Sequence, residues 1–533
     1  MSLPIDTTEP APTDATARVR RALAEGQPVD VTGLPGAARG RLVQQLLAPG
    51  PARARCVLAV ATDEEEADQL ARDLGFFLGD AAVLRVPADA VLPYDDLSPD
   101  RGVEMERLSA LARLHLDPGS IQAVVVSARG LCRRQVPRPV FEAGSDLLAA
   151  GLTIDRELLA ARLTSLGYAR VPLVEDPGTF AVRGGILDLW SPAEAGPARL
   201  EFFGDEVESL RAFDPQSQRS AADGAAVTVL TCPAREALFT VEGKAAASAA
   251  VRATAEEVNR PTSRVREVLD AIDAGAPFFG QEALLPGFHR GGLVTLADYL
   301  PAGTVGYLDE ADLLEETLDA FDAALATEHA GALKREELCL PPPAHALDKA
   351  GALALLGARP LVRRHRVYLG KGAPVRFSLT ETGDLRGEIE AAHADEGALT
   401  PLTRRLDAWR QRGLTTVVAC STPSSADRLR RLLEDRRQAT RPGTAPLGDP
   451  GPLYDAGIHA HLLPGEISGG FVDGEARLAL LSDEEIFGRR VRKKARVTRE
   501  EHAFAAAFRE LNDGDLVVHV EHGIARYLGL TKM

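Results

Sequence analysis

The sequence predicts a multidomain α/β protein that carries one α+β insert. Short apolar runs alternate with helical patterns near the start of the chain and again near its end, which is typical of parallel strands covered by helices. Between these two stretches, Gly and Pro turns separate runs that have the pattern of paired strands. The length of 533 residues is several times that of an ordinary domain, so more than one core is expected.

The first α/β region is predicted over residues 16–145, after a polar, Pro/Thr-rich tail at 1–15. Its buried strands are predicted from four apolar runs, at 29–33, 56–61, 82–87 and 123–128. Helical patterns lie between these runs. One helix opens with Thr62 and Glu65 at the spacing of a capping box, and another covers 101–116. This alternation indicates a doubly wound sheet.

The rest of the chain divides where its composition changes. Residues 146–225 have the pattern of one helix followed by paired strands and are predicted to form the α+β insert. A helix-rich stretch at 226–345 ends in a proline cluster, and a separate α/β domain is predicted at 355–488. A basic linker and helix at 489–510 then lead to a predicted β hairpin within 511–533.

Composition excludes several classes of protein. A net charge of −16 argues against wrapping nucleic acid over the whole surface, because that needs a broad field of Lys and Arg. The basic run RRVRKKAR is either a solvated linker or helix face, or a local contact to DNA phosphates or to an acidic neighbour. No run approaches the ~18 apolar residues of a membrane span, and the start lacks the pattern of a signal peptide, so no membrane contact and a cytoplasmic location are expected. The five scattered cysteines predict neither disulfides nor a metal site.

The first strand-to-helix turn has the position of a nucleotide-binding P-loop without its chemistry. The turn starts at Gly33, directly after the first predicted strand. A P-loop needs glycine where Ala38 stands, lysine where Arg39 stands, and a Ser or Thr hydroxyl where Gly40 stands. The sequence therefore predicts a degenerate P-loop that binds no nucleotide. No cofactor and no catalytic residue are predicted for this chain.

Four segments resemble bacterial transcription-repair coupling factors, and they occur in that family's order. These segments are LPYDDLSPDRGVEMERLSAL, residues 178–214 with the PQSQRS that follows, LALLSDEEIFGRRVRKK, and DGDLVVHVEHGIARYLGL. The resemblance implies a degenerate helicase-like α/β module interrupted by an insert shared with the repair protein UvrB. A further α/β domain and the start of a small β-barrel domain are implied after that module.

The resemblance also implies that the insert binds UvrA. In the family, the positions matching Arg183, Arg199 and Phe203 contact UvrA, and the same residue types stand here. The alternation in ARLEFF separately predicts a strand with Arg199, Glu201 and Phe203 on one face. Such a face is typical either of a solvated sheet or of a partner surface, because Arg and aromatic side chains are common interface anchors.

The last segment resembles the opening of the family's domain that binds the β subunit of RNA polymerase. The residues concerned are Val518, His519, Glu521, His522, Gly523, Arg526 and Tyr527. The two histidines, three apart on one strand, would face opposite ways and so predict no shared metal ion. Because only the first strands of that domain are present, this segment alone is not expected to bind the polymerase.

Taken with the resemblance, these features predict an adaptor rather than an enzyme. The resemblance implies that ATP- and Mg-dependent translocation on duplex DNA, which releases stalled RNA polymerase, belongs to a part outside this sequence. Two alternatives remain open from the residues. One is a UvrB-type repair helicase or ATPase whose diverged P-loop holds nucleotide through backbone amides. The other is a transcription regulator that acts through the terminal β domain.

Overall fold

The computed structural model describes residues 15–49, 54–220, 228–257, 262–392, 397, 399–448, 450–488, 516–519 and 523–526. The chain divides into two compact units, residues 1–487 and 488–533. The larger unit is mixed α/β with parallel sheets, which confirms the predicted fold class at this level. Within the described ranges, no helix is both long and apolar enough to cross a membrane.

The elements follow in chain order. The helices are α1 (Ala15–Ala24), α2 (Ala38–Leu47), α3 (Glu64–Leu78), α4 (Arg101–Leu116), α5 (Ala128–Cys132), α6 (Pro139–Gly144), α7 (Arg156–Ser165), α8 (Val241–Glu257), α9 (Thr262–Ala274), α10 (Ala311–Lys334), α11 (Pro342–His345), α12 (Lys349–Gly357), α13 (Leu385–Ala391), α14 (Thr400–Gln411), α15 (Pro423–Glu434) and α16 (Glu484–Phe487). Short 3₁₀ helices cover Asp80–Ala82, Gln281–Phe288, Leu296–Asp298 and Gly451–Leu453. The strands are β1 (Val29–Thr32), β2 (Cys56–Ala61), β3 (Val83–Arg85), β4 (Ala123–Ser127), β5 (Leu147–Leu148), β6 (Ala169–Arg170), β7 (Thr179–Arg183), β8 (Ile186–Trp190), β9 (Ala198–Phe203), β10 (Glu206–Ala212), β11 (Val229–Leu230), β12 (Thr304–Leu308), β13 (Leu361–Arg364), β14 (Val375–Arg376), β15 (Thr380–Glu381), β16 (Thr415–Cys420), β17 (Thr440–Pro442), β18 (Ala460–Pro464), β19 (Phe471–Asp473), β20 (Leu478–Ser482), β21 (Leu516–His519) and β22 (Gly523–Arg526).

The first sheet has seven strands in the order β14-β1-β13-β12-β2-β4-β3, and all neighbouring pairs are parallel. Strand β2 is buried along its whole length. Because side chains alternate across a strand, Leu58 packs into one core while Val57 and Ala59 pack into another. The apolar run that predicts this strand is therefore covered on both faces, as parallel strands usually are.

Strands β13 and β14 of this sheet lie within residues 355–488, which the sequence predicts to form a separate domain. Both β13 and β14 pair with β1, so that Val29 stands opposite Val362 and Val31 opposite Val375. The predicted start of a separate domain at residue 355 is therefore wrong. Parallel strands join through long crossovers, so strands adjacent in a sheet can be far apart in the sequence.

The second sheet has six strands in the order β15-β19-β20-β16-β18-β17. Strand β16 runs parallel to β18 and β20, while β19 is antiparallel to β20. On one face, Val418 and Leu481 pack with α13, α14 and α15. On the other face, Val417 and Phe471 share a core with Leu42 of α2. Helices α2 and α3 therefore form a layer that shares one core with both sheets.

A close backbone approach joins the two sheets at the turn between β1 and α2. The Ala37 N–H donates to the Gly469 carbonyl over 2.9 Å. Gly36 has a φ of +48°, and a Cβ built there would collide with the Gly469 carbonyl group. Beside this contact, the Ser468 N–H and hydroxyl both donate to the buried Asp73 of α3 over 2.7 Å.

The insert is a five-stranded sheet in the order β10-β9-β8-β7-β6, with α7 packed on one face. Leu159 and Leu163 of α7 pack there with Leu187 of β8 and Leu200 of β9. At its base, β5 and β11 pair antiparallel, so the chain enters and leaves the insert side by side.

A buried ion cluster fixes the segment that leaves the insert. Arg107 of α4 is fully buried and donates to Glu236 over 2.9 Å and to Asp89 over 3.2 Å. The Glu236 N–H donates to the Glu104 side chain over 2.7 Å. Burial, together with the negative charge of Glu236, raises the pKa of Glu104 to about 7.

The start of α3 differs from the sequence prediction. Its N-cap is Asp63, whose side chain accepts from the Glu66 N–H over 2.9 Å, so the predicted capping box of Thr62 and Glu65 is wrong. Both Thr and Asp are good N-caps, and spacing alone does not choose between adjacent candidates. A carboxylate also gains from the positive end of the helix dipole, which favours Asp63.

Replacing Glu104 by Gln is expected to stabilise the protein at high pH. Because the folded chain holds the Glu104 proton more tightly than the unfolded chain, the stabilisation is full below the ordinary pKa of 4.5 and is lost as the pH rises through about 7. At about pH 8, Glu104→Gln should raise the free energy of unfolding by on the order of 2 kcal/mol, with little gain at about pH 5. Thermal unfolding at both pH values checks this. Equal effects at both pH values would contradict it, and Glu208→Gln on β10 serves as an exposed control.

Replacing Gly36 by Ala is expected to loosen the junction of the two sheets. The added Cβ meets the Gly469 backbone, and alanine is strained at a positive φ. We expect a loss of about 1–3 kcal/mol and a lower Tm in thermal unfolding. The matched control is Gly474→Ala, where a Cβ has open space, and it should change stability by about 0.5 kcal/mol or less. Equal Tm values for the two variants would contradict the proposed role of this contact.

Candidate functional site

The open face of the insert, defined as the face of β7, β8 and β9 opposite α7, carries the three residues expected to contact a partner. Both hairpins close through two residues, with Arg183 opposite Ile186 and Phe203 opposite Glu206. Short turns of this kind set the register of the strands. Leu200 therefore faces α7, whereas Arg199 on the same strand belongs to the open face. The structure places Arg183, Arg199 and Phe203 on one side of one sheet.

Phe203 stands at the edge of this face and is 80% exposed. Because β7 and β9 are both antiparallel to β8, they run in the same direction. Their last residues therefore lie at the same end of the sheet, which we call the shared edge. Arg183, the last residue of β7, and Phe203, the last residue of β9, therefore share that edge. A large aromatic ring left in water is an unfavourable arrangement unless a partner covers it, and aromatic side chains are frequent interface anchors.

Arg199 is held tightly within the insert. Its Nε and Nη2 donate to the two carboxylate oxygens of Asp188 over 2.7 and 2.9 Å. Its Nη1 donates to the Gln218 carbonyl over 3.3 Å, and its guanidinium lies 4.8 Å from the Phe213 ring centroid. The hydrogen bond to Asp188 raises the pKa of Arg199, so this side chain is cationic throughout the physiological range.

Asp188 is the residue of this site that sequence reasoning missed. It lies in β8 opposite Ala181 of β7 and Arg199 of β9, and its side chain is fully buried. Besides Arg199, its Oδ2 accepts from the Arg183 Nη2 over 2.5 Å. One carboxylate thus bridges two arginines from the strands on either side. The available signal was a single acid in the otherwise apolar strand Ile186–Trp190.

The degenerate P-loop is closed by the protein's own groups. Arg39, where a P-loop lysine would stand, is buried and donates to Asp73 over 2.7 Å and to Asp309 over 2.5 Å. Ala38 is also buried. A Cβ at Gly40 would lie 2.7 Å from the Asp73 carbonyl oxygen, which leaves no room for a Ser or Thr side chain.

The first residue of this turn is constrained in a similar way. Gly33 has a φ of +78°, and a Cβ there would collide with the Phe377 carbonyl oxygen. The Phe377 N–H donates to the carbonyl of Thr32 over 2.9 Å, which holds the segment after β14 against the turn. Backbone of the protein therefore covers the turn from this side, and Gly469 approaches it at Gly36.

The predicted terminal hairpin is confirmed where the structure describes it. Strands β21 and β22 pair antiparallel, with Val518 opposite Ile524 and His519 opposite Gly523. Arg526 ends the second strand opposite Leu516. Glu521, His522 and Tyr527 lie outside the described residues. Among the residues that are described, no group of His, Cys, Asp or Glu has the arrangement of a metal site.

Two family models match parts of the chain. The model described as "UvrB interaction domain" matches residues 147–236, which contain the whole open face of the insert. The model described as "CarD-like/TRCF RID domain" matches residues 511–533, which contain the terminal hairpin.

Curated relatives match nearly the whole chain. A transcription-repair-coupling factor of Myxococcus xanthus is 46% identical over 97% of this chain and 44% of its own length. The factors of Mycobacterium bovis and Escherichia coli K12 are 29% and 28% identical, over 96% and 94% of this chain and 41% and 42% of their own lengths. The chain thus spans under half the length of these relatives. Over most of its length, the chain is strongly homologous to the transcription-repair-coupling factor family.

Proposed function

We propose that this chain is the UvrA-recruiting part of a factor that couples transcription to nucleotide-excision repair. The observation that carries the proposal is the open face of the insert, where Arg183 and the exposed Phe203 share one edge. This face lies within the region matched by the UvrB interaction domain. Homology to coupling factors supports the wider role.

Recognition at this face follows from its chemistry. The Arg183 side chain is 47% exposed and uses its Nη2 on Asp188, so other N–H groups of its guanidinium are open to a partner's carboxylate. Phe203 offers a ring that a partner's apolar pocket would remove from water. The proposed partner surface on UvrA is therefore an acidic group beside an apolar pocket.

The other activities of a coupling factor are proposed to lie outside this chain. ATP and Mg would serve a translocase part, and that part would make most contacts with duplex DNA. The segment at 511–533, which matches the model described as "CarD-like/TRCF RID domain", would begin the domain that binds the RNA polymerase β subunit. Arg39 supports an adaptor role for the first α/β region, because its guanidinium already fills the place of a phosphate-binding lysine with internal ion pairs.

Loss of the open face is expected to abolish UvrA binding. In a titration with purified UvrA, combined Arg183→Ala, Arg199→Ala and Phe203→Ala should weaken the complex by roughly 100-fold or more, since Arg183 and Phe203 are exposed anchors and Arg199 is the counter-ion of Asp188. The control is Leu158→Ala, which removes a side chain that is 70% exposed on α7, the helix on the opposite face. No micromolar binding by the wild type, or equal losses in both variants, would overturn the proposal.

The degenerate P-loop is expected to bind no nucleotide. Titration with a fluorescent ATP analogue and Mg should give no saturation up to about 1 mM, the weak end of specific binding. Saturable binding that disappears in an Arg39→Ala variant shown by circular dichroism to be folded would contradict this expectation and support a diverged ATPase. Binding unaffected by Arg39→Ala would place any nucleotide site elsewhere.

A further inference from the structure

The carboxylate of Asp188 lies buried between two arginines on the open face. A carboxylate removed from water is costly unless cations and hydrogen bonds compensate it. Here three charged hydrogen bonds supply the compensation: Oδ1 accepts from the Arg199 Nε, and Oδ2 accepts from both the Arg199 Nη2 and the Arg183 Nη2. Such a site holds the three side chains in one geometry, because moving an arginine away would take a partner from the buried carboxylate.

The two arginines differ in how much of each remains open. The Arg199 side chain is only 16% exposed and is held on three sides, by Asp188, the Gln218 carbonyl and the Phe213 ring. The Arg183 side chain is 47% exposed. Arg199 therefore acts mainly as the fixed counter-ion, and Arg183 is the member that a partner can reach.

We propose that Asp188 is a positioning residue for partner binding, which anchors Arg183 against Arg199 so that its free N–H groups face a partner carboxylate at a fixed place. This inference rests on the proposed function and deepens it. The two guanidinium groups and the Asp188 carboxylate together carry a charge of about +1, and Glu201 on the same face contributes a negative charge near Arg199. The free N–H groups of Arg183 favour an acidic group on the partner, and the anchoring lowers the conformational entropy that Arg183 loses on binding.

The expected effect is moderate and specific. Asp188→Asn removes the charge that anchors both arginines, so Arg183 must be ordered at the moment of binding. Ordering a long side chain on binding corresponds to a loss of roughly threefold to tenfold in affinity. We expect this loss in titrations of the full chain with purified UvrA. Glu208→Gln on β10 removes one negative charge from the same sheet and is the matched control, with less than a twofold change expected.

A double-mutant cycle separates positioning from a general structural role. In the Arg183→Ala background, adding Asp188→Asn should weaken UvrA binding by less than about twofold, because the residue through which Asp188 acts is already gone. Equal losses in both backgrounds would overturn the proposal. So would unchanged affinity in the single Asp188→Asn variant when Arg183→Ala itself weakens binding.

Two further measurements keep the test decisive. Circular dichroism and thermal unfolding establish that each variant is folded.

If Asp188→Asn does not fold, Asp188→Glu keeps the charge but displaces the carboxylate along a longer side chain. It should give the same threefold to tenfold loss, and wild-type affinity in that variant would overturn the proposal. Absence of UvrA binding by the wild type contradicts the proposed function itself, and is thereby distinguished from failure of the positioning role.

Discussion

The ion pair of Arg39 with Asp73 and Asp309 is the interaction on which the larger unit most depends. Arg39 lies in the first turn of α2, Asp73 lies in α3, and Asp309 follows β12, so one buried guanidinium connects three parts of the first α/β layer. Asp73 also accepts two hydrogen bonds from Ser468, which belongs to the second sheet region. Removing Arg39 would take its ion pair from the buried Asp73, whereas Asp309 would keep its pair with Arg364 over 2.8 Å. A buried charge that loses its partner is costly, which is why such clusters couple distant segments.

The cost of burying a charge without a partner also shapes the insert, but there one of the paired side chains stays partly exposed. Asp188 is buried as completely as Asp73, yet one of its two arginines remains about half exposed. In the P-loop position, all of the charge is used internally and the turn is covered by neighbouring backbone. On the open face of the insert, part of the Arg183 guanidinium and the exposed Phe203 ring are left at the surface. One region is therefore suited to holding the fold together, and the other to meeting a partner.

Sequence patterns predicted local structure well, because those patterns are local. The strands Cys56–Ala61 and Ala123–Ser127 and the helix Arg101–Leu116 lie where apolar runs and helical periodicity indicate them. The pairing of β13 and β14 with β1 was not predictable, because parallel partners are set by crossovers of many residues.

Only the local features of the candidate site were predictable from the sequence. Alternation in ARLEFF correctly separates Arg199 and Phe203 from Leu200. The bridge made by Asp188 depends on the register of three strands, and the pairing of β8 with β9 across the longer connection at 191–197 is visible only in the folded sheet. Likewise, the missing P-loop residues are visible in the sequence, whereas the closure of that turn by Gly469 and Phe377 is a property of the fold.

The most direct test of the partner-binding face is amide hydrogen exchange of the chain with and without purified UvrA. The account predicts that UvrA slows exchange at the shared edge of the insert, in the turns at 183–186 and 203–206, and leaves the turn at 33–40 unchanged. Protection confined to other regions, under conditions where the complex forms, would contradict the assignment of the open face as the UvrA-binding surface.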